Sequence, residues 1–135
     1  MNFRKSFAAS AVAAALTVVL SACGSAPKGD VAHGAELYAQ CSACHAMQEN
    51  TAGPKHCGLF GRTAGTVPGF GYSSAMKESG IVWDEKMLSE FLVSPFTYLP
   101  GTVMGFAGFP NEQDRVDLIA YLKQQTSDPS VCPAG

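Results

Sequence analysis

Five consecutive residues in the first half of the chain, Cys41-Ser42-Ala43-Cys44-His45, have the pattern C-x-x-C-H. This spacing is typical of covalent attachment of a c-type haem, in which each thiol forms a thioether bond with one vinyl group of the porphyrin. The histidine after the second cysteine is then placed to bind the iron as its proximal ligand. The motif therefore predicts one covalent haem c held by Cys41, Cys44 and His45.

Two other kinds of site can use a C-x-x-C pair. A thioredoxin-like redox pair normally opens a helix after a strand of a parallel sheet, and no alternating strand and helix pattern surrounds this motif. A zinc site could use Cys41, Cys44, Cys57 and Cys132 or a histidine, because four such ligands close a tetrahedron. No second C-x-x-C or H-x-x-x-H pair supports the zinc site. Both stay as minor alternatives to haem attachment.

The first 22 residues have the properties of an export signal. A basic start at Arg4 and Lys5 precedes an apolar run over 7–20 that is too short to span a membrane comfortably. The segment 20–23, Leu-Ser-Ala-Cys, resembles the lipobox of bacterial lipoproteins, in which the leader is cut before a cysteine that carries lipid. Ordinary cleavage near Ala22 is the alternative. We predict a lipoprotein signal peptide (1–22), a flexible tether (23–29) anchored by lipid on Cys23, and one domain (30–135).

The length and charge of the chain limit its possible roles. With 135 residues and a removable leader, there is room for one small domain. Loss of the leader leaves seven of the 9 basic residues against all 11 acidic residues, so the mature chain is acidic. This balance argues against nucleic acid or an anionic surface as the main partner.

Helical patterns separated by long loops cover the predicted domain. The predicted helices are one after Asp30 that runs to Ser42, a short one within 72–79, one after Asp84 that Pro95 stops, and one from Asn111 to about Gln125. No pair of strands is convincing. Gly34 lies inside the first helix at a cost of ~1 kcal/mol relative to alanine, which suggests that another backbone passes close to it. A merely tolerated glycine explains it equally well.

Two residues outside the motif could interact with a haem or with its histidine ligand, and the single tryptophan could be buried. The carbonyl of Pro54 could accept a hydrogen bond from the imidazole N–H of His45, although a plain turn proline is the alternative. Arg62 lies in a glycine-rich loop (55–71) and could pair with a buried propionate, or it could be a solvated surface arginine. Trp83, the only tryptophan, could fill space while its indole N–H finds an acceptor.

Met104 is the predicted sixth ligand of the iron. It lies in a loop rich in proline and glycine, where no helix face needs it for packing. A thioether favours ferrous iron, and two protein ligands leave no position for dioxygen or substrate, so single-electron transfer is the chemistry that remains. The rival ligands are His33, His56, Met47, Met76 and Met87.

With these residues placed, the chain resembles class I cytochrome c, of the mitochondrial-type branch, over nearly all of 29–123. The similar segments are Gly53–Arg62, Pro68–Tyr72, Gly80–Trp83, Pro100–Met104 with 106–108, and Asp117–Leu122. The resemblance implies an all-α cytochrome c fold of three to five helices and long loops wrapped around one haem. It implies that Tyr72 flanks a propionate, that the Trp83 indole bonds to it, and that the last helix crosses the first at Gly34 and Tyr38.

The resemblance also bears on the remaining cysteines and on docking. Because the loop after Pro54 lies near the end of the last helix in this family, we predict a disulfide between Cys57 and Cys132. Phe96, Thr97 and Val103 occupy positions where the mitochondrial-type branch often has lysine. We therefore expect an apolar docking face around Phe96, Val103 and Phe106, with weak salt dependence.

The predicted function is one-electron transfer rather than catalysis, with no catalytic residues. We predict a monomeric, monohaem carrier on the periplasmic side of a bacterial membrane, anchored by lipid. Its partners would be redox proteins, with a quinol-oxidising complex as donor and a terminal oxidase or reductase as acceptor. The alternatives are a haem peroxidase, which needs an open sixth position, and the cytochrome subunit of a periplasmic dehydrogenase.

Overall fold

A computed structural model describes residues 28–134, so the predicted leader, Cys23 and most of the tether lie outside the described residues. The described chain forms five helices: α1 (Val31–Ser42), α2 (Ser74–Glu78), α3 (Glu85–Val93), α4 (Pro95–Tyr98) and α5 (Glu112–Ser127). Within 28–134 there is no strand, only one isolated antiparallel bridge between Thr63 and Val82. The predicted all-α class is therefore confirmed.

Side-chain caps explain where most of the helices begin. Asp30 accepts hydrogen bonds from two backbone amides at the start of α1, and Asn111 does the same for α5. Ser73 and Asp84 each accept one such bond at the starts of α2 and α3. These contacts satisfy backbone N–H groups that have no partner inside the helix.

The structure extends two of the sequence predictions. Pro95 does follow the end of α3, as predicted, but it also begins the short helix α4, which was not predicted. Proline suits the first position of a helix because its missing N–H would be unpaired there anyway. Helix α5 continues beyond Gln125 to Ser127, where the hydroxyl of Thr126 donates back to the carbonyl of Leu122.

Helices α1 and α5 cross at a glycine. A Cβ atom added at Gly34 would overlap the backbone carbonyl of Asp117, and it would come within 2.8 Å of Cβ of Tyr121. The Asp117 carboxylate also accepts a hydrogen bond of 2.7 Å from the backbone amide of Asp30. A close backbone approach, rather than mere tolerance, therefore accounts for Gly34.

The helices and loops pack together around a single hydrophobic core. Its buried side chains come from α1, α3, α5 and the loops between them: Tyr38, Leu59, Ala64, Trp83, Leu88, Phe91, Leu92, Phe109, Leu118, Ile119 and Leu122. Burial of this apolar surface is the main favourable contribution to folding. Among the described residues, no helix has the length and apolar character needed to cross a membrane.

A disulfide joins Cys57 to Cys132, with Cα atoms 5.4 Å apart and a separation of 75 positions along the chain. The amide of Gln48 donates a 2.7 Å hydrogen bond to the carbonyl of Val131 beside this bridge. The segment after α5 is thus fastened to the loops that follow the C-x-x-C-H motif.

Candidate functional site

A cavity of about 330 Å³ opens between α1, α3, α5 and the loops. This volume lies within the range of about 300–1,000 Å³ that is usual for small-molecule and cofactor sites. The cavity is lined mostly by apolar side chains, among them Leu59, Trp83, Leu88, Phe91, Leu92, Leu118 and Leu122. The predicted haem residues Cys41, Cys44, His45, Pro54, Arg62, Tyr72, Trp83 and Met104 all line this same cavity.

The C-x-x-C-H motif occupies the end of α1 and the turn after it. The backbone amides of Cys44 and His45 both donate to the carbonyl of Cys41, at 3.0 Å and 2.9 Å, so the chain turns back and presents all three side chains to the cavity. Both thiols are free, and burial raises the pKa of Cys41 to about 11. A thioredoxin-like pair needs a thiol with a lowered pKa, so this environment argues against that alternative.

The ring of His45 is held on one edge by Pro54. Its Nδ1 lies 2.8 Å from the Pro54 carbonyl oxygen, which can only accept a hydrogen bond, so Nδ1 carries the proton. The other nitrogen, Nε2, is then the unprotonated one that can bind iron. Burial lowers the pKa of His45, which favours the neutral imidazole that a metal requires.

The backbone of Gly53 passes directly against the same ring. A Cβ atom at this position would lie 2.6 Å from Nδ1 and 2.7 Å from Nε2 of His45. Only glycine leaves room for this contact. This contact between Gly53 and the ring was not predicted from the sequence.

His56 lies beside His45. The two imidazole rings are stacked, with centroids 4.4 Å apart and planes 20° from parallel. Because it contacts the predicted proximal ligand, His56 would lie on the same side of the iron as His45, which argues against His56 as the sixth ligand. Its stacking on His45 was not predicted, because no local sequence pattern connects two rings that are eleven residues apart.

Of the other rivals for the sixth position, only Met76 lines the cavity. His33 is half-exposed and pairs with Asp117, while Met87 accepts a hydrogen bond from the Tyr98 hydroxyl. Met47 packs against the core without lining the cavity. Met104 and Met76 both line the cavity, Met104 from the loop before α5 and Met76 from α2.

Arg62 provides a test of whether this cavity suits a haem with its propionates. Its two terminal nitrogens donate to the carbonyls of Lys55 and Cys57, at 3.2 Å and 3.1 Å. Its Nε is buried and has no hydrogen-bond partner within the described chain. A buried unpaired donor is costly, and a carboxylate in the cavity would satisfy it. The cavity therefore fits a group that is largely apolar and carries an acid.

The zinc alternative does not fit the structure. Cys57 and Cys132 are joined in a disulfide, so neither can act as a thiolate ligand. Within residues 28–134, no cluster of three or more histidine, cysteine or acidic side chains could hold a metal ion.

Comparison with known proteins identifies the family of the chain. The family model for cytochrome c matches residues 31–126. Cytochrome c of Chlamydomonas reinhardtii is 44% identical over 112 residues, which cover 80% of this chain and 100% of that protein. Cytochrome c2 of Blastochloris viridis is 43% identical over 118 residues, covering 85% and 93% of the two chains.

A solved structure shares the fold as well. Cytochrome cH from Methylobacterium extorquens matches with a TM-score of 0.69 and 40% identity, over 71% of this chain and 99% of that chain. Proteins of this family carry one covalent haem c and transfer electrons to and from other proteins without being enzymes, which sets the peroxidase alternative aside. The chain belongs to the cytochrome c family.

Proposed function

We propose that this carrier holds its haem through thioether bonds from Cys41 and Cys44, with His45 and Met104 as the axial ligands of the iron. The observation that carries the proposal is that these four side chains line one cavity, where the hydrogen bond from His45 to Pro54 leaves Nε2 free for iron. Bound haem supplies an iron that takes up and releases one electron. The methionine thioether favours the ferrous state and raises the reduction potential.

The other cavity residues control the surroundings of the haem. The unpaired Nε of Arg62 is the proposed donor to a propionate, together with Tyr72 and the indole of Trp83. Trp83 is buried, and its ring meets that of Phe91 edge to face with the ring centroids 5.1 Å apart. This packing restrains the orientation of the indole. Apolar walls exclude water, which limits reorganisation around the site during electron transfer.

The surface beside the cavity suggests how partners dock. Val103 exposes 72% of its surface and lines the cavity together with Phe106, while Phe96 exposes 53% of its surface outside the cavity lining. Among the described lining residues, Arg62 is the one with a permanent charge. We call Phe96, Val103 and Phe106 the apolar rim, and it is the proposed docking face for redox partners with a matching apolar surface.

The proposed place of the carrier is the periplasmic side of a bacterial membrane. Residues 1–22 would direct export, lipid on Cys23 would anchor the chain, and 23–29 would tether the monomeric domain at 30–135. The anchor keeps the carrier close to its membrane partners. These are a quinol-oxidising complex that donates electrons and a terminal oxidase or reductase that accepts them.

Cell fractionation tests the anchor. In cells that attach haem and lipid, the unchanged chain is expected in the membrane fraction, and Ser25→Ala is expected to stay with it. A chain in which residues 1–23 are replaced by a cleavable export signal without a lipid-carrying cysteine is expected in the soluble periplasmic fraction. Membrane association of that chain equal to that of the unchanged chain would contradict lipid anchoring.

Washed membranes from the source cells test the electron route. Addition of a quinol is expected to reduce the oxidised carrier, and an inhibitor of the quinol-oxidising complex is expected to abolish that reduction. Reduction that continues at the same rate with the inhibitor would overturn the proposed donor.

A further inference from the structure

His56 is a buried polar side chain in the largely apolar wall of the cavity. It is 9% exposed, and its ring lies flat against His45 with centroids 4.4 Å apart. Aromatic pairs usually have centroids about 4.5–7 Å apart, so the two imidazoles are in close contact. Any rotation of the His45 ring toward His56 would push His56 out of its place.

Tyr38 fixes the orientation of His56. The Tyr38 hydroxyl lies 3.1 Å from Nδ1 of His56, and the two rings meet edge to face with centroids 5.7 Å apart. Tyr38 is itself buried at 8% exposure. A buried imidazole needs a hydrogen-bond partner to offset the loss of water, and the hydroxyl is that partner.

The backbone around His56 is also fastened. Its amide donates to the carbonyl of Ala46 at 3.1 Å, the next amide donates to Met47 at 2.8 Å, and Cys57 is held in the disulfide to Cys132. His56 is therefore fixed through both its main chain and its ring. Burial keeps it neutral, with a pKa of about 3, so it adds no net charge beside the iron ligand.

The hydrogen bond to Pro54 does not by itself determine the plane of the His45 ring. One hydrogen bond fixes the position of Nδ1 but leaves the ring free to rotate about the line between the two atoms. The backbone of Gly53 and the ring of His56 supply the missing contacts. Partners that orient a metal ligand in this way tune the properties of the metal.

We infer that His56, held by the Tyr38 hydroxyl, is a positioning residue that sets the plane of the His45 ring at the haem iron. The inference rests on the proposed role of His45 as an iron ligand. It adds to that proposal a tyrosine–histidine–histidine contact series that passes from α1 to the iron ligand.

The test compares Tyr38→Phe and His56→Leu with Tyr121→Phe in the haem-loaded chain. Tyr38→Phe removes the hydroxyl and leaves the stacked rings, while His56→Leu removes both the stack and the hydrogen bond. Tyr121→Phe is the matched control, because it is the same change in a ring whose centroid lies 5.2 Å from that of Tyr38, whereas His56 forms its aromatic ring pairs with Tyr38 and His45. The near-isosteric Tyr38→Phe variant provides the test even if His56→Leu does not fold.

The readouts are the haem methyl resonances of the ferric protein in proton NMR, whose spread reports the plane of the axial imidazole, and the reduction potential. We expect Tyr38→Phe to change the spread of the methyl resonances, His56→Leu to change it further and to shift the potential, and Tyr121→Phe to change neither. Lower unfolding midpoints with unchanged resonances and potential would overturn the inference, since His56 would then be core packing only.

The unchanged chain separates this inference from the proposal on which it rests. If it lacks the low-spin ferric spectrum of an iron with two protein ligands, both fail together. If it has that spectrum and the variants keep the same resonances, the ligand assignment stands and the positioning role of His56 fails.

Discussion

At the scale of single residues, His33 and Asp117 form an ion pair that joins α1 to α5. Nδ1 of His33 lies 2.8 Å from Asp117, whose side chain is only 3% exposed and also accepts hydrogen bonds from the Asp30 amide and Gln113. The hydrogen bond to Asp117 is the main cause of a raised pKa at His33. Although burial opposes it, this set of donors holds the pKa of Asp117 below its usual value.

The two pKa shifts define where the pair stabilises the fold. A raised histidine pKa contributes stability that is present below the ordinary value of 6.5 and is lost as pH rises through the folded value. A lowered aspartate pKa contributes stability that is present above the ordinary value of 3.8 and is lost as pH falls through the folded value. The pair is therefore strongest in the mildly acidic range between them.

We predict that His33→Gln lowers the denaturant midpoint more at about pH 5.5 than at about pH 8.5. At the lower pH the substitution removes a charged histidine that pairs with Asp117, whereas at the higher pH it removes a neutral one. Unfolding of the haem-loaded protein by guanidinium at both pH values measures this. A midpoint difference of equal size at the two pH values would show that the charge of His33 contributes nothing.

Some site residues could be predicted from the sequence and others could not, and the difference has a physical reason. Cys41, Cys44 and His45 are adjacent in the chain, so their chemistry is visible as a pattern. The contact between His56 and His45 depends on the path of the loop between them. Met76 and Met104 both reach the cavity from different elements, so packing alone does not decide between them.

At the scale of elements, the crossing of α1 and α5 depends on Gly34. A methyl group there would overlap the backbone of Asp117, which cannot move away as a flexible side chain could. We predict that Gly34→Ala destabilises the protein, because overpacking costs about 1–3 kcal/mol while the gain in helix propensity is at most about 1 kcal/mol.

Guanidinium unfolding of Gly34→Ala measures this loss. Gly71→Ala is the matched control, since nothing lies within 4 Å of a Cβ added at Gly71. Equal stabilities of the two variants would mean that the helices separate at this crossing at little cost.

The disulfide is a second connection between elements. It closes a long loop of the chain, because Cys57 and Cys132 are separated by 75 positions in the sequence. We predict that the double variant Cys57→Ala, Cys132→Ala loses about 2–4 kcal/mol of unfolding free energy, because the unfolded chain regains freedom.

Mass measurement after alkylation of the native haem-loaded protein, with and without reductant, tests the bridge itself. No thiol is expected to react without reductant and two are expected to react with it. Two reactive thiols in the unreduced protein would rule the bridge out.

The elements themselves were readable from the sequence where caps and apolar spacing coincide, as at Asp30, Asp84 and Asn111. Helix α4 was not, because a four-residue helix is too short to show a periodic pattern and its proline also marks the end of α3. The path of the loop over 55–71 was not readable either. Its glycines Gly58, Gly61, Gly65 and Gly69 adopt positive φ. Glycines in a loop make such conformations expected, but they do not determine the direction in which the loop runs.

At the level of the whole molecule, an acidic protein with the proposed apolar docking face should not depend on lysines to find its partner. Within the apolar rim, Val103 is 72% exposed and lines the cavity. Val82 is also exposed, at 50%, but it does not line the cavity. We predict that reduction by quinol-supplied membranes changes little with added salt. Val103→Lys should slow it, because a charge must then be desolvated in the interface.

Val82→Lys is the control for this prediction, since it adds the same charge to an exposed apolar position that belongs neither to the apolar rim nor to the cavity lining. Rates of haem reduction at low and high salt, measured by stopped flow, compare the variants. Equal slowing by both lysines would move the docking face elsewhere, and a steep salt dependence of the unchanged chain would contradict apolar docking.

The visible spectrum of the exported chain, oxidised and reduced, before and after acid–acetone extraction, tests both the attachment of the haem and the ligation of its iron. We predict that the haem stays with the protein and that the ferric form shows the weak far-red band of iron bound to sulfur. Met104→Ala should abolish this band and Met76→Ala should keep it. Haem that is extracted, or a band lost in Met76→Ala and kept in Met104→Ala, would contradict the proposed attachment and ligation.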